Sequence, residues 1–183
     1  MNRSVPESLL ICILVLCLAL TPISVRGETE DSGKAQQLIE APGAVLMEKE
    51  TGTVIYSRDP DTRRSPASIT KIMTLTLIFE ALDNGKLTLE TPVSVSEYAA
   101  SMGGSQVFLE PNETQTVDTM IKCISIASAN DAAVAMAEKI AGSEEAFVKK
   151  MNEKAVALGM KHTQFKNCTG LDDNIESGHF SSA

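Results

Sequence analysis

The sequence predicts a mixed α/β (α+β) fold in which an antiparallel sheet accompanies a cluster of helices. Two short β-prone runs, 44–48 and 53–57, flank the turn-like residues 49–52 and predict an antiparallel hairpin. Further along the chain, longer apolar segments that begin and end at capping residues predict helices. Of the 183 residues, 43% are hydrophobic and 22% are charged, so the chain can bury a core.

The chain is acidic, with 16 Lys+Arg against 24 Asp+Glu, a formal net charge of −8 and a pI of about 4.8. Binding to nucleic acid rests on clustered cations that meet phosphate groups. The composition therefore argues against nucleic acid as a partner. It indicates an acidic globular protein and does not specify an activity.

The N-terminal residues have the pattern of a secretory signal. An almost uninterrupted apolar run over 9–20 follows Arg3 and precedes Pro22 and a small-residue site that ends at Gly27. A run of this length is short for a membrane span but fits the apolar region of a signal peptide. The pattern predicts a signal peptide over 1–27 and an exported protein of the cell envelope. The alternative is an uncleaved membrane anchor.

A polar leader over 28–41 would follow the signal. Removal of the signal takes Cys12 and Cys17 with it and leaves Cys123 and Cys168. Two thiols do not make the disulfide framework of a small stapled domain, although a single bond between them is open. We expect Cys123 to be free and partly buried.

The segment that begins at Ser65 predicts the central helix of the fold. Ser65 is a candidate N-cap, Pro66 suits the first helical position, and Asn84-Gly85 ends the helix. Apolar residues lie on nearly every face, which predicts a buried helix. They are Ile69, Ile72, Met73, Leu75, Leu77 and Ile78.

Ser68 and Lys71 lie in the first turn of this helix, and residues three apart share one face. A lysine in so apolar a helix either extends to water or stays desolvated with a lowered pKa, which makes it a base. A serine hydroxyl needs such a base to become a nucleophile. The spacing alone is common, so a first-turn serine beside a solvated lysine is the alternative.

Two further helices are predicted on either side of a short break. Thr116 can cap a helix that runs to Ile124, and a second helix runs from about 132 to 140 and ends at Gly142. The side chains of Ser128 and Asn130 lie in the break, where they can project into a cleft. A plain turn between helices is the alternative.

The remaining features predict structure and no chemistry. Ser143 opens a packing helix over 144–157, which Gly159 closes. No recognised zinc spacing relates His162, Cys168 and His179, so no metal site is expected. Three methionines are expected in the core: Met136, Met151 and Met160.

The sequence Ser68-Ile69-Thr70-Lys71, followed 60 residues later by Ser128-Ala129-Asn130-Asp131, resembles the penicillin-binding DD-peptidases. The resemblance is closest to the low-molecular-mass serine D-alanyl-D-alanine carboxypeptidases. It covers about 42–183 and includes the stretches 104–109 and 158–163, with Gly170-Leu171-Asp172. It implies a fold like that of the β-lactamases and DD-peptidases, with 42–183 as the N-terminal portion of the catalytic domain.

The resemblance also implies roles for four side chains. Ser68 would attack the carbonyl of the penultimate D-alanine of a peptidoglycan stem peptide, and Lys71 would accept its proton. Ser128 would relay a proton to the leaving amine. Asn130 would bind the substrate amide and help to hold Lys71. No metal or organic cofactor is expected, and β-lactam antibiotics would be covalent inhibitors.

The third element of the family, Lys-Thr-Gly or Lys-Ser-Gly, does not occur in this sequence. We expect an incomplete catalytic domain that lacks the later sheet strands, with the hairpin and the central helix partly uncovered and activity weak. Relatives often associate peripherally with the membrane through a C-terminal segment, which this chain does not contain. The alternative functions are a β-lactamase and a non-catalytic protein that binds peptidoglycan or a partner.

Overall fold

The computed structural model describes residues 39–171 and 178–183. The predicted signal peptide over 1–27 and nearly all of the predicted leader over 28–41 lie outside the described residues. From Ala41 onward the chain forms one compact unit. Within the described ranges, no helix is both long and apolar enough to cross a membrane.

The predicted hairpin is confirmed. Strand β1 (Ala44–Met47) pairs antiparallel with β2 (Val54–Arg58). The carboxylate of Glu48 stabilises the turn between them, because it accepts the backbone N–H of Glu50 at 2.9 Å and that of Thr51 at 2.6 Å.

The central helix begins differently from the prediction. A 3-10 turn over Ala67–Thr70 runs directly into helix α1 (Lys71–Asp83). The predicted Ser65 cap is wrong: Pro66 holds the N-cap position, and no side chain caps the turn. Because the first turn is a 3-10 turn, the backbone N–H of Ile69 donates to the Pro66 carbonyl at 3.0 Å and needs no oxygen from a capping side chain.

The expectation that apolar residues bury α1 on nearly every face is only half right. One side packs against the core, with Met73, Leu77, Ile78 and Ala81 buried. The other side leaves Ile69 68% and Ile72 66% exposed, and the hairpin exposes its apolar side chains too. The expectation that the hairpin and the central helix are partly uncovered is therefore confirmed. The exposed hairpin residues are Val45, Leu46, Met47, Val54 and Ile55.

Strands β3 (Pro92–Ser94) and β4 (Thr114–Thr116) form a second antiparallel pair, which precedes the remaining helices. The short helix α2 (Glu97–Ala100) lies between these two strands in the sequence. Helix α3 (Val117–Ala127) follows β4 without a loop. The predicted Thr116 cap is confirmed, because its side chain accepts the N–H of Thr119.

The last two helices lie close to their predicted positions. Helix α4 (Asn130–Ala141) ends at Gly142, whose φ is 85°, and α5 (Glu144–Ala157) is capped by the Ser143 side chain, both as predicted. However, α4 begins two residues earlier than about 132. Its first turn therefore includes Asn130, which was expected in the break.

Helix α4 is the centre of the core and packs against α1, α2, α3, α5 and β3. Its residues from 130 to 137 are all buried. Met136 and Met151 are fully buried and Met160 packs at the edge of the core, as predicted. Cys123 is free and half-buried as expected, and Cys168 is free and buried, so the two thiols do not pair.

Candidate active site

Ser68 and Lys71 meet where the 3-10 turn joins α1. The Lys71 Nζ donates to Ser68 Oγ at 3.5 Å. The lysine is only 4% exposed, whereas Ser68 is exposed. Of the two outcomes open for this lysine, the structure has the desolvated one. The hydroxyl of Ser68 is thus open to solvent, whereas the side chain of Lys71 beside it is enclosed by protein.

The environment of Lys71 favours its neutral form. Burial lowers the pKa of Lys71, and a coulombic interaction with Cys168 opposes this in part. The ammonium also donates to the backbone carbonyl of Thr169 at 2.8 Å, which fixes the direction of the side chain. A lysine with a lowered pKa gives up its proton nearer to neutral pH and can then act as a general base.

The backbone before Ser68 is held in an uncommon conformation. Ala67 has a φ of 45°, in the left-handed region that side chains disfavour. Gly170, with a φ of 79°, packs directly against the Ala67 carbonyl, and a Cβ at position 170 would overlap that oxygen. Only glycine allows the chain at 170 to support the turn that carries Ser68.

Ser128 and Asn130 lie at the turn between α3 and α4. Ser128 is half-buried and ends α3 with a left-handed φ of 56°. Asn130 is buried, and its Nδ2 donates to the Gly103 carbonyl at 2.7 Å while its backbone N–H donates to Ser105. Of the four predicted site residues, Ser68 and Lys71 are joined by a side-chain hydrogen bond. Ser128 and Asn130 lie in a different part of the chain, at the turn that precedes α4.

Asp131 organises the loop that Asn130 contacts, and it was not assigned a role from the sequence. It is fully buried, and its Oδ2 accepts the backbone N–H of Val107 and that of Leu109, both at 3.1 Å. Its Oδ1 accepts the N–H of Ala132 at 2.9 Å. The available signal was an acidic residue directly before the apolar run over 132–137, because a buried carboxylate needs several donors.

Residues late in the chain fasten the Ser68–Lys71 element from the other side. The Thr74 hydroxyl donates to the Cys168 carbonyl at 2.7 Å, and Thr70 Oγ1 hydrogen-bonds His179 Nε2 at 2.8 Å. These contacts join residues 94 and 109 positions apart. No local pattern marks contacts of such separation, so sequence reasoning missed them.

The histidines and Cys168, which share no zinc spacing in the sequence, do not come together in the described part of the chain. No group of three or more His, Cys, Asp and Glu side chains there is arranged to hold a metal ion. His179 instead bonds Thr70, and its Nδ1 accepts the backbone N–H of Lys166 at 3.0 Å. His162 lies 3.5 Å from an oxygen of Asp61.

An exposed serine beside a desolvated lysine, at the start of a core helix, is the arrangement of enzymes that transfer acyl groups through an activated hydroxyl. A family model described as D-alanyl-D-alanine carboxypeptidase matches residues 30–183. The chain belongs to this family.

Individual relatives and solved structures are consistent with membership of this family. The chain is 54% identical over 178 residues to D-alanyl-D-alanine carboxypeptidase DacF of Bacillus subtilis, which is 97% of this chain and 44% of that protein. The crystal structure of D-alanyl-D-alanine carboxypeptidase DacD from Francisella tularensis is similar, with a TM-score of 0.76 and 36% identity over 79% of this chain and 34% of that one.

Penicillin binding protein 5 from Haemophilus influenzae is similar to the same extent, with a TM-score of 0.74 and 36% identity over 79% of this chain and 42% of that one. The predicted fold like that of the DD-peptidases is therefore confirmed. The chain spans less than half the length of these relatives.

Substitution of Gly170 by alanine should destabilise the protein more than the same change at Gly159. Both glycines have a left-handed φ, 79° and 73°, but nothing lies within 4 Å of a Cβ at Gly159. We expect Gly159→Ala to cost ~1–2 kcal/mol from backbone strain alone. Gly170→Ala should cost a further ~1–3 kcal/mol because of overlap with Ala67. Urea unfolding of both variants measures this, and equal costs would contradict the close packing.

Substitution of Asp131 by asparagine should also destabilise the fold. The amide nitrogen would face a backbone N–H that the carboxylate now accepts, which should cost ~2–4 kcal/mol. Asp118 is the control, since it is partly exposed in the first turn of α3 and pairs with Lys122. Asp118→Asn should cost less than ~1 kcal/mol in the same urea titration. A small loss for Asp131→Asn would show that the loop does not depend on this carboxylate.

Proposed function

We propose that this chain carries the nucleophile and the base of a serine-type D-alanyl-D-alanine carboxypeptidase, which removes the terminal D-alanine from peptidoglycan stem peptides. The observation that carries the proposal is the buried Nζ of Lys71, 3.5 Å from the hydroxyl of exposed Ser68. Membership of the carboxypeptidase family supports the substrate class.

The reaction begins when neutral Lys71 takes the proton of Ser68 and the Oγ attacks the carbonyl carbon of the penultimate D-alanine. A C–O bond forms and a tetrahedral intermediate holds the negative charge. When it collapses, the peptide C–N bond breaks and the terminal D-alanine leaves with a proton that Ser128 relays from Lys71. Water then attacks the acyl-enzyme ester and frees Ser68, and the shortened peptide departs as a carboxylate.

Asn130 has the role of binding the backbone amide of the substrate and of helping to hold Lys71. Its buried side chain already donates one hydrogen bond to Gly103, so its position is set before substrate arrives. Preorganised polar groups of this kind do not have to reorganise during the reaction.

β-Lactam antibiotics are the inhibitors that this chemistry implies, since a serine that forms an acyl-enzyme also opens a strained cyclic amide. The name of the similar Haemophilus influenzae structure, penicillin binding protein 5, supports this. We further propose export to the cell envelope through a signal peptide over 1–27, because peptidoglycan lies outside the cytoplasm, and peripheral association with the membrane through a C-terminal segment beyond this sequence.

Fluorescent penicillin tests the proposal. We expect a stable adduct on Ser68, located by mass spectrometry of the labelled peptide. Labelling should be slow, by roughly 100-fold or more if one oxyanion donor is missing, because the Lys-Thr-Gly element is not in this sequence. Labelling is therefore also measured on a hybrid that joins this chain to the remaining C-terminal part of Bacillus subtilis DacF.

Ser68→Ala should abolish the label, whereas Ser125→Ala, at an exposed serine that bonds the Ile121 carbonyl, should leave it unchanged. Rapid turnover of the drug would indicate a β-lactamase instead. A folded hybrid that takes no label would contradict the catalytic function and leave the non-catalytic binding protein.

The rate of acylation should depend on the protonation of Lys71. Since burial lowers the pKa of Lys71 from 10.5, the neutral base becomes available below that pH. Acylation should rise about tenfold per pH unit below the lowered pKa and become constant above it. Lys71→Arg, which stays protonated, should remove the reaction over the whole range. A pH profile of the labelling rate that is flat, or an active arginine variant, would exclude Lys71 as the base.

A further inference from the structure

We propose that the turn over 167–171 positions both reacting side chains of the proposed function, and that Asn167 is the positioning residue that builds this turn. Among the described residues, the side chain of Asn167 makes no hydrogen bond with Ser68 or Lys71; it acts through the backbone of the turn. The inference rests on the proposed function and adds a residue to it.

Three hydrogen bonds of one side chain hold the turn. Asn167 Oδ1 accepts the backbone N–H of Gly170 at 2.7 Å and that of Thr169 at 3.3 Å. Its Nδ2 donates to the Leu171 carbonyl at 2.7 Å. The half-buried amide thus satisfies three backbone groups in a stretch of five residues, which has no helix or strand to satisfy them.

The turn contacts the base on one side and the nucleophile segment on the other. The Thr169 carbonyl accepts a hydrogen bond from Lys71 Nζ at 2.8 Å. This distance is shorter than the 3.5 Å from Lys71 Nζ to Ser68 Oγ. Gly170 packs against the carbonyl of Ala67, the residue before Ser68. A shift of the turn would therefore move the lysine and the serine in different ways and change the distance between them.

The same turn reaches the third part of the site. A Cβ at Gly104 would lie 3.2 Å from Leu171 Cδ1 and 2.9 Å from Asn130 Nδ2. The loop that carries Gly104 is therefore enclosed between Leu171 and Asn130. The turn therefore contacts Lys71 and the Ala67 carbonyl directly, and through Leu171 it approaches the loop that Asn130 also contacts.

The matched control is Asn152, which also has a half-buried side chain with three hydrogen bonds to backbone. It donates to the carbonyls of Val148 and Phe165 and accepts the N–H of Phe165. Asn152 therefore holds the same late segment of the chain, but two residues before the turn begins. Loss of either side chain removes equal numbers of hydrogen bonds, and only one loss frees the turn.

The experiment measures the rate of labelling by fluorescent penicillin against drug concentration for Asn167→Ala and Asn152→Ala. Both variants are made in this chain or in the DacF hybrid, whichever takes the label without substitution. We expect the maximal acylation rate to fall about tenfold or more in Asn167→Ala, because a small misplacement of reacting groups lowers the rate strongly. It should stay within about threefold in Asn152→Ala, although urea unfolding should show similar losses of stability. Asn167→Asp, which keeps the oxygen that accepts both amides but loses the donor to the Leu171 carbonyl, should recover part of the rate.

The outcomes separate the two proposals. Equal acylation rates in the two alanine variants, with wild type labelled, would overturn the positioning role and leave the proposed function standing. If wild type takes no label, the proposed function fails, and an NMR titration of the Lys71 side chain tests the turn alone. There the pKa of Lys71 should rise toward its ordinary value in Asn167→Ala, because a displaced turn opens the lysine to water. If the alanine variant does not fold, Asn167→Ser, whose hydroxyl is too short to hold all three backbone groups, takes its place. An unchanged titration in the folded variant overturns the inference.

Discussion

The interaction on which the rest of this structure depends is the enclosure of one lysine. Lys71 lies at the start of α1 with its amine turned inward, where it meets the Ser68 hydroxyl and the Thr169 carbonyl. A buried ammonium is costly to desolvate and is retained only where hydrogen bonds compensate. That cost is what lowers the pKa of the lysine, so the burial gives this side chain the property that the proposed base requires.

The other elements can be understood as the support that this lysine requires. Helix α4 fills the centre of the core, and its first turn carries two buried polar residues, Asn130 and Asp131. Asp131 holds the neighbouring loop through backbone amides, and Asn130 bonds Gly103 in the same loop. Residues 168 and 169, together with His179, fasten the 3-10 turn and the first turn of the central helix.

Part of the surface of the described residues is apolar. The hairpin and the outer face of α1 expose large apolar side chains, among them Leu46, Ile55 and Ile72. Large contiguous apolar patches are uncommon on the surface of monomeric proteins. The hydrogen bonds of Lys71 to Ser68 and Thr169 do not involve these side chains, so the relative placement of Ser68 and Lys71 does not depend on them.

The sequence by itself determined the local features: the hairpin, the caps at Thr116 and Ser143, the helix end at Gly142, and the pairing of Ser68 with Lys71 on one face. Each depends on residues a few positions apart, whose geometry helical and turn periodicity dictate. Its errors lay at the Ser65 cap, where a tightened turn needs no capping side chain, at the start of α4, and on the outer face of α1, which stays exposed. Only the tertiary structure decided that Lys71 is buried, that Asp131 holds a loop, and that the turn held by Asn167 contacts Lys71. The hydrogen bonds of Lys71 to Thr169 and of Leu109 to Asp131 join residues 98 and 22 positions apart, and no periodicity in the chain encodes such distances.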